Sequence, residues 1–266
     1  VGSSDIRPNR LLVMDASGDT IDLPGTETTE PTFGLPAMWV DPDNREEATF
    51  KGYTVVDPAT VITTHLTELI RDNMSELLSY VETQNLLDEL PNEHQKLVGE
   101  VVPNQISVGG IQRILQNLLN ERVSIRDLPT ILEGISEACA FTRNVTQLTE
   151  HVRSRLARQI SEQNSTEDNF IPLVTLSAEW EQIFSDSILD QGEDKQLSMA
   201  PSQLQRFIGA VRTTLDELAD KEDPPVVLTS PTARPFVRSI IERFRPTTSI
   251  MSQNELHPKA KIKTLG

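Results

Sequence analysis

The clearest folding signal lies in residues 107–135, which read SVGGIQRILQNLLNERVSIRDLPTILEGI. Ser107 and Asp127 are both of the types that cap helix N-termini, and apolar residues follow each of them at spacings of three and four. This pattern predicts one helix over about 108–120 and a second over about 127–139. Two amphipathic helices in succession indicate a helical domain in the middle of the chain.

The part of the chain before these helices carries strand patterns. Short apolar or alternating runs, bounded by Gly, Pro, Asp and Asn, predict strands at 10–15, 21–23, 37–40 and 50–56. An Asp-Pro pair at 57–58 then predicts the start of a helix. Its apolar positions are expected to form one core-facing stripe made of Val61, Ile62, Leu66, Leu69 and Ile70.

The C-terminal part alternates between strands and helices. Strand patterns occur at 170–176, 225–228, 248–251 and 259–265, and helical stripes lie between them at 178–189, 204–218 and 236–244. Such alternation predicts a small α/β domain. Two polar runs are expected to be a linker (161–169) and a loop (191–195). The predicted fold is mixed α/β in three parts: a β-rich part at 1–73, a helical domain at 74–163 and an α/β domain at 164–266.

The composition is acidic, with 24 Lys and Arg against 40 Asp and Glu and a formal charge of -16. The net charge is about -13 over 1–100, +1 over 101–165 and -4 over 166–266. Because phosphate recognition needs a basic surface, this balance argues against nucleic-acid binding, although the helix pair has a helix-turn-helix outline. An acidic face is usually only solvated surface, but it also suits a basic partner.

The sequence shows no recognisable catalytic or metal-binding motif. Its four histidines lack the i,i+4 spacing of a helical zinc site, and the single cysteine, Cys139, is expected to be a small core residue. Gly109 and Gly110 could present N–H groups to an anion, but a flexible helix start explains them as well. These patterns therefore predict no metal and no cofactor, and they show no visible catalytic site. An enzyme with a carboxylate site hidden among the 40 acidic residues is the alternative.

The residues given show no pattern that predicts a membrane span or a signal peptide. No apolar run approaches the roughly 20 residues that cross a bilayer. The N-terminus lacks the charged-then-apolar pattern of a signal peptide. A start at Val1 without Met indicates a piece of a longer chain.

Three longer runs are more specific than any short motif. They read LPG and TEPTFGLPAMWV within 23–40, GYTVVDP and THL within 52–66, and VP, LQNLLNERVSIRDL and ILE within 102–133. With looser matches at 227–229, 234–235 and 252–256, they resemble the cytoplasmic domain of the FHIPEP family of flagellar export-gate proteins. The resemblance covers essentially all 266 residues.

The resemblance implies a docking platform rather than an enzyme. Family members have an N-terminal multi-pass membrane region, absent here, and a domain on the cytoplasmic side of the bacterial inner membrane; the first strands of that domain and its linker are expected to be absent here too. The implied partners are flagellar export chaperones with filament-type cargo, other soluble export components, and copies of the protein in a nine-membered homo-oligomeric ring. We expect the present chain alone to be monomeric.

The resemblance also implies a chaperone-binding dimple, formed at Glu30, Phe33 and Thr64. The family often has Asp where this chain has Glu30, which is one methylene longer. Phe33 lies in a stretch bounded by Pro and Gly, where an aromatic could stay partly exposed as an interface anchor. The plainer alternatives are a core Phe33 under a loop and a Thr64 that is ordinary helix surface. The export gate of a virulence-type injectisome is the competing assignment for the whole chain.

Overall fold

The computed structural model describes residues 6–191, 194–218 and 224–266. The chain forms two compact units, unit 1 from Val1 to Met74 and unit 2 from Ser75 to Gly266. Both contain helices and sheets, so the mixed α/β class is confirmed. The further predicted division at residue 163, inside unit 2, stays a prediction.

Unit 1 is a four-stranded sheet with two helices. Its strands are β1 (Leu11–Met14), β2 (Gly25–Thr29), β3 (Pro36–Val40) and β4 (Thr54–Val56), and its helices are α1 (Arg45–Phe50) and α2 (Pro58–Asp72). The strand order is β2-β3-β1-β4, and every neighbouring pair is antiparallel. Apolar side chains are buried on both faces of this sheet, and on one face they pack with Val61 of α2.

One strand prediction in unit 1 was wrong, and another placed the start of its strand too early. Residues 21–23 form no strand, although Ile21 and Leu23 are buried in the connection from β1 to β2. Phe50 ends α1 with 92% of its surface exposed, and the strand begins only at Thr54. The reason is a turn between them, in which Gly52 has a φ of 80°, a conformation that glycine adopts without strain.

The first half of unit 2 is helical. Its helices are α3 (Met74–Leu77), α4 (Tyr80–Asp88), α5 (Asn92–Val101), α6 (Val108–Asn120), α7 (Leu128–Ala138), α8 (Val145–Arg155) and α9 (Ala157–Gln163). The predicted caps of α6 and α7 are confirmed, because Ser107 Oγ accepts from Gly110 N at 3.1 Å and Asp127 Oδ1 accepts from Thr130 N at 3.3 Å. Cys139 is buried, as expected.

The second half of unit 2 is a parallel sheet with flanking helices and a hairpin. The strands are β5 (Phe170–Thr175), β8 (Val226–Thr229), β9 (Ile250–Ser252) and β10 (Lys261–Thr264). The hairpin is β6 (Ile188–Gln191) with β7 (Asp194–Leu197), and the helices are α10 (Ala178–Ser187), α11 (Pro201–Glu217) and α12 (Arg234–Ile241). The sheet order is β10-β5-β8-β9, so the predicted edge strand is confirmed in β10.

Both polar runs differ from their predictions. The first three residues of the predicted linker, 161–163, complete α9, and Ser161 is buried because its hydroxyl donates to Glu255 O at 3.0 Å and accepts from His257 N at 2.9 Å. Polar side chains here satisfy a buried contact between elements, which sequence polarity does not reveal. The predicted loop at 191–195 includes strand residues on both sides of 192–193, which lie outside the described residues.

A buried ionic cluster connects α6, α8 and α12 within unit 2. Arg234, whose side chain is 2% exposed, donates to both oxygens of Glu121 at 2.8 Å and to both oxygens of Glu150 at 2.6 Å. Arg153 is equally buried and lies 3.5 Å from Glu121. Burial by itself would raise the pKa of Glu121, but the charges of Arg234 and Arg153 lower it from 4.5 to about 2.

Candidate functional site

The loop between β2 and β3 is folded around the side chain of Glu30. One carboxylate oxygen accepts from Thr32 N at 2.9 Å and the other accepts from Phe33 N at 2.6 Å. The backbone closes the same loop, because Glu30 N donates to Leu35 O at 2.8 Å and Gly34 N donates to Glu30 O at 3.0 Å. Four hydrogen bonds over six residues hold the loop in one conformation.

Phe33 stands at the tip of this loop with 65% of its surface exposed. The alternative that it is a core residue is therefore wrong for this chain. The following residue, Gly34, has a φ of 71°, which lets the chain turn back into β3 immediately after the aromatic. An exposed phenylalanine on a hydrogen-bonded loop can bury a large apolar area on contact with a partner, with little conformational entropy left to lose.

The side chain of Glu30 folds back onto its own loop. The residue is 3% exposed, and its two oxygens are occupied by the backbone N–H groups of its own loop. These two hydrogen bonds tie the carboxylate to the backbone beside Phe33. The structure places Glu30 as the residue that positions Phe33.

Helix α2 presents to the sheet a different face from the one predicted. Val61 is buried, and Thr64, His65 and Glu68 are half-buried, at spacings of three, four and seven residues from it. The other apolar stripe, which the sequence predicts as core, stays exposed in this chain; it consists of Ile62, Leu66, Leu69 and Ile70. Thr64 therefore lies on the sheet-facing side of the helix, beside Val61.

The three implied site residues lie in two parts of unit 1, the loop between β2 and β3 and the helix α2. Glu30 and Phe33 share the loop, whereas Thr64 lies on α2, and no hydrogen bond links Thr64 to the loop among the described residues. Trp39 and Val61 belong to one apolar cluster, so α2 packs on the face of the sheet to which β3 contributes Trp39.

Sequence reasoning missed a set of polar atoms in this unit. Thr32 Oγ1, Trp39 Nε1 and His65 Nε2 are buried and have no hydrogen-bond partner. Buried polar groups in folded proteins normally have a protein or water partner, so these atoms depart from the usual pattern. No sequence signal distinguishes them, because the pairing of a side chain is decided by its neighbours in space.

The alternative of a hidden carboxylate enzyme is best tested at a cavity of about 580 Å³ in unit 2, lined by Glu150, Asp194 and neighbouring residues. Burial raises the pKa of Glu150, and the charge of Arg234 offsets this only in part. However, both Glu150 oxygens accept hydrogen bonds from Arg234, and Asp194 Oδ1 accepts one from Asn144 Nδ2 at 2.7 Å. Carboxylates engaged in this way are poorly placed to act as a general acid and base pair.

No other chemistry emerges from the described residues. They contain no group of three or more His, Cys, Asp or Glu side chains arranged to hold a metal ion. None of their helices is long and apolar enough to span a bilayer. At the start of α6, a Cβ on Gly110 would come within 2.5 Å of the Ile106 side chain, so close packing explains this glycine without a bound anion.

The sequence matches the profile of the FHIPEP family over residues 1–261. It is 55% identical over 265 residues to the flagellar biosynthesis protein FlhA of Caulobacter vibrioides and 35% identical over 266 residues to FlhA of Bacillus subtilis. Both alignments take in 100% of this chain but only 38% and 39% of the relatives. The chain therefore spans less than half the length of these proteins.

The fold is similar to that of solved proteins as well. The CdsV protein of Chlamydia pneumoniae has a TM-score of 0.84 at 27% identity, with 98% of this chain and 75% of that chain covered. CdsV in a complex with CdsO gives a TM-score of 0.82 at 27% identity over the same shares of both chains. Nonameric EPEC SctV-C gives a TM-score of 0.77, with 99% of this chain and 79% of that chain covered. Because the identity is only 24%, this is a likeness of fold alone.

Proposed function

The chain belongs to the FHIPEP family, and on that premise we propose that it is a docking platform of the flagellar type III export gate. In this proposal it lies on the cytoplasmic side of the bacterial inner membrane and captures export chaperones that carry filament-type cargo. The family consists of export components and is not a known enzyme family, so the chain is not assigned an enzymatic activity.

One observation carries the docking proposal: Phe33 is 65% exposed on a loop that Glu30 holds in place. Exposed aromatics in a fixed position are the usual energetic anchors of protein interfaces. Thr64, on the sheet-facing side of α2, is proposed as a contact of the same site. Glu30 is proposed as the residue that preorganises the loop rather than as a direct contact.

The charge distribution supports reversible capture. Residues 1–100, which include the proposed site, carry about -13 of the total charge of -16. Surface charge of one sign speeds encounter with an oppositely charged partner more than it strengthens the final complex. A chaperone complex that presents a basic face would therefore associate quickly and still be released for export.

Ring assembly and contacts with other soluble export components form the second part of the proposal. Structural neighbours include the nonameric EscV cytosolic domain of a type III secretion system, at 26% identity, and a complex between CdsV and CdsO. We propose that copies of this chain assemble in the same way within the full-length protein, and that the isolated chain is a monomer.

Isothermal titration with a flagellar chaperone–flagellin complex tests the docking site, with the empty chaperone as the reference ligand. Phe33→Ala is expected to weaken binding by about 1–3 kcal/mol with the fold intact, because the anchor is removed. Phe50→Ala is the matched control, since Phe50 is 92% exposed in the same unit but lies outside the loop. Equal losses in both variants, or no loss in either, would contradict the site assignment.

The export gate of an injectisome is the second candidate function, favoured by the similarity of fold to CdsV. The flagellar assignment is preferred because the identity to Caulobacter FlhA is 55%, against 27% for CdsV. Titration against a chaperone–effector complex from an injectisome separates the two: tighter binding to that complex than to the flagellar one would reverse the preference.

A further inference from the structure

The β6–β7 hairpin in unit 2 has a free strand edge. The two strands pair only with each other, so each has one side without a backbone partner among the described residues. Ser198 N donates to Ser187 O at 2.7 Å, which makes that pair a hydrogen-bonded one. Because hydrogen-bonded and non-hydrogen-bonded pairs alternate in antiparallel strands, the N–H and C=O groups of Lys195 and Leu197 point away from β6.

This free edge borders the cavity of about 580 Å³ described above. Three consecutive residues of β7 line it, namely Asp194, Lys195 and Gln196. Successive side chains of a strand point to opposite faces, so a cavity that meets three consecutive residues meets the strand along its edge. No residue of β6 is among those that line the cavity.

The other walls offer what an extended peptide requires. One wall is apolar and is formed by Pro231, Pro235 and Phe236 at the start of α12. Asn144 and Gln147, at the start of α8, also line the cavity and carry side-chain amides. The volume lies within the range of roughly 300–1,000 Å³ typical of ligand sites.

The hairpin is held in position by α8. Asn144, the N-cap of that helix, donates through Nδ2 to Asp194 Oδ1 at 2.7 Å, while its own Oδ1 caps the helix by accepting from Gln147 N at 3.0 Å. This contact ties β7 to α8 through side chains and leaves the outward backbone groups of Lys195 unpaired across the cavity.

We propose that this cavity binds an extended peptide segment of a partner protein, which adds as a strand to the outer edge of β7. Backbone hydrogen bonds to the outward N–H and C=O groups of Lys195, which lines the cavity, contribute to the affinity, as in other cases of strand addition. One side chain of the peptide lies on Phe236 and is apolar. Its alternate neighbour meets Asn144 or Gln147 and is neutral and hydrogen-bonding.

Charge favours a neutral or basic peptide as the occupant. Of the two carboxylates that line the cavity, Glu150 is paired with Arg234 and Asp194 accepts a hydrogen bond from the neutral amide of Asn144. The whole chain carries a formal charge of -16, so an acidic peptide is repelled and a neutral or basic one is not. The proposed site lies in unit 2 and is independent of the docking loop of unit 1.

The test is a selection of random dodecapeptides displayed on phage, carried out on the 266-residue chain. Lys195→Pro removes the outward N–H but no hydrogen bond of the hairpin, and proline is tolerated at such an edge position. Lys195→Ala is the matched control, because it removes the charge and keeps the N–H. Thr232→Trp, at an exposed residue of the cavity wall, is a second variant that fills the cavity from the opposite side.

Selected peptides, resynthesised and titrated, are expected to bind the parent chain and Lys195→Ala alike. They are expected to bind Lys195→Pro and Thr232→Trp about tenfold or more weakly, with unchanged circular dichroism in all variants. Enrichment of no peptide, or equal binding to all four proteins, would overturn the proposal. Self-association of the parent chain in sedimentation, abolished by Lys195→Pro, would assign the edge to a second copy instead.

Discussion

Replacing Arg234 with methionine tests the buried ionic cluster of unit 2. Methionine keeps most of the length of the side chain but removes the charge and its donors. The change leaves Glu121 and Glu150 buried without the guanidinium that bonds to all four of their oxygens at 2.6–2.8 Å. We expect it to lower the free energy of unfolding of unit 2 by about 3–5 kcal/mol, the range for breaking a buried ion pair on one side.

The pKa of Glu121 gives an independent estimate of the same size. A pKa lowered from 4.5 to about 2 corresponds to about 3 kcal/mol of stability. This contribution is fully present above pH 4.5 and is lost as the pH falls toward 2. Burial raises the pKa of Glu150. The contribution of Glu150 to stability therefore changes with pH in the opposite direction: it becomes more favourable as the pH falls through the raised pKa. The loss from Arg234→Met is therefore expected to shrink at pH 3.

The assay is urea unfolding followed by tryptophan fluorescence. The chain has two tryptophans, Trp39 in unit 1 and Trp180 in unit 2, so a Trp39→Phe background reports on unit 2 alone. Arg158→Met is the matched control, because Arg158 is exposed and its 2.9 Å pair with Glu162 lies on the surface, so this change is expected to leave the stability nearly unchanged. A loss below about 1 kcal/mol for Arg234→Met, or the same loss at pH 7 and pH 3, would refute the reasoning.

Three further predictions test unit 1 by thermal and urea unfolding. Glu30→Gln is expected to lower the free energy of unfolding by about 1–3 kcal/mol, because Thr32 N and Phe33 N lose their shared charged acceptor. An unchanged unfolding midpoint would show that Glu30 does not position the loop. Val61→Ala is expected to lower the free energy of unfolding by about 1–3 kcal/mol, whereas Leu66→Ser is expected to change it by no more than about 0.5 kcal/mol. The reverse order would show that α2 packs through the predicted stripe after all. Gly25→Ala is expected to lower the free energy of unfolding by about 1–3 kcal/mol, because the added Cβ would lie 2.5 Å from Trp39 O. An unchanged stability would show that β2 can shift to make room for it.

Local signals predicted the central helices well. The bounds of α6 were predicted as 108–120 and are Val108–Asn120, because a capping serine and a continuous apolar stripe both lie within the same short segment. The same holds for Asp127 at the start of α7. Capping and periodicity act over a few residues, so they are legible without knowledge of the rest of the fold.

Predictions that depended on distant neighbours were less successful. The apolar stripe of α2 was assigned to the core, but Leu66 is 54% exposed and the helix packs through Val61 instead. The polar residue Ser161 was assigned to a linker, but it is buried against Glu255 and His257. Periodicity shows that a helix is amphipathic, but the elements that pack against it decide which face is covered.

The implied site residues show the same division. Glu30, Phe33 and Thr64 came from a family resemblance, and nothing in their own chemistry singles them out. The structure supplies the physical roles of two of them, since Glu30 is buried and bonded to the loop backbone while Phe33 is exposed at its tip. Their participation in docking stays a proposal.

The amino-acid sequence by itself determined the mixed α/β class, the central helices, the edge strand β10 and the family to which the chain belongs. Each of these rests on local patterns or on long matched runs. Only the tertiary structure decided that Arg234 joins Glu121 and Glu150, that the edge of β7 borders a cavity, and that Glu30 turns inward. Those outcomes depend on residues far apart in the chain or on the burial of a single side chain, and burial is a property of the folded molecule alone.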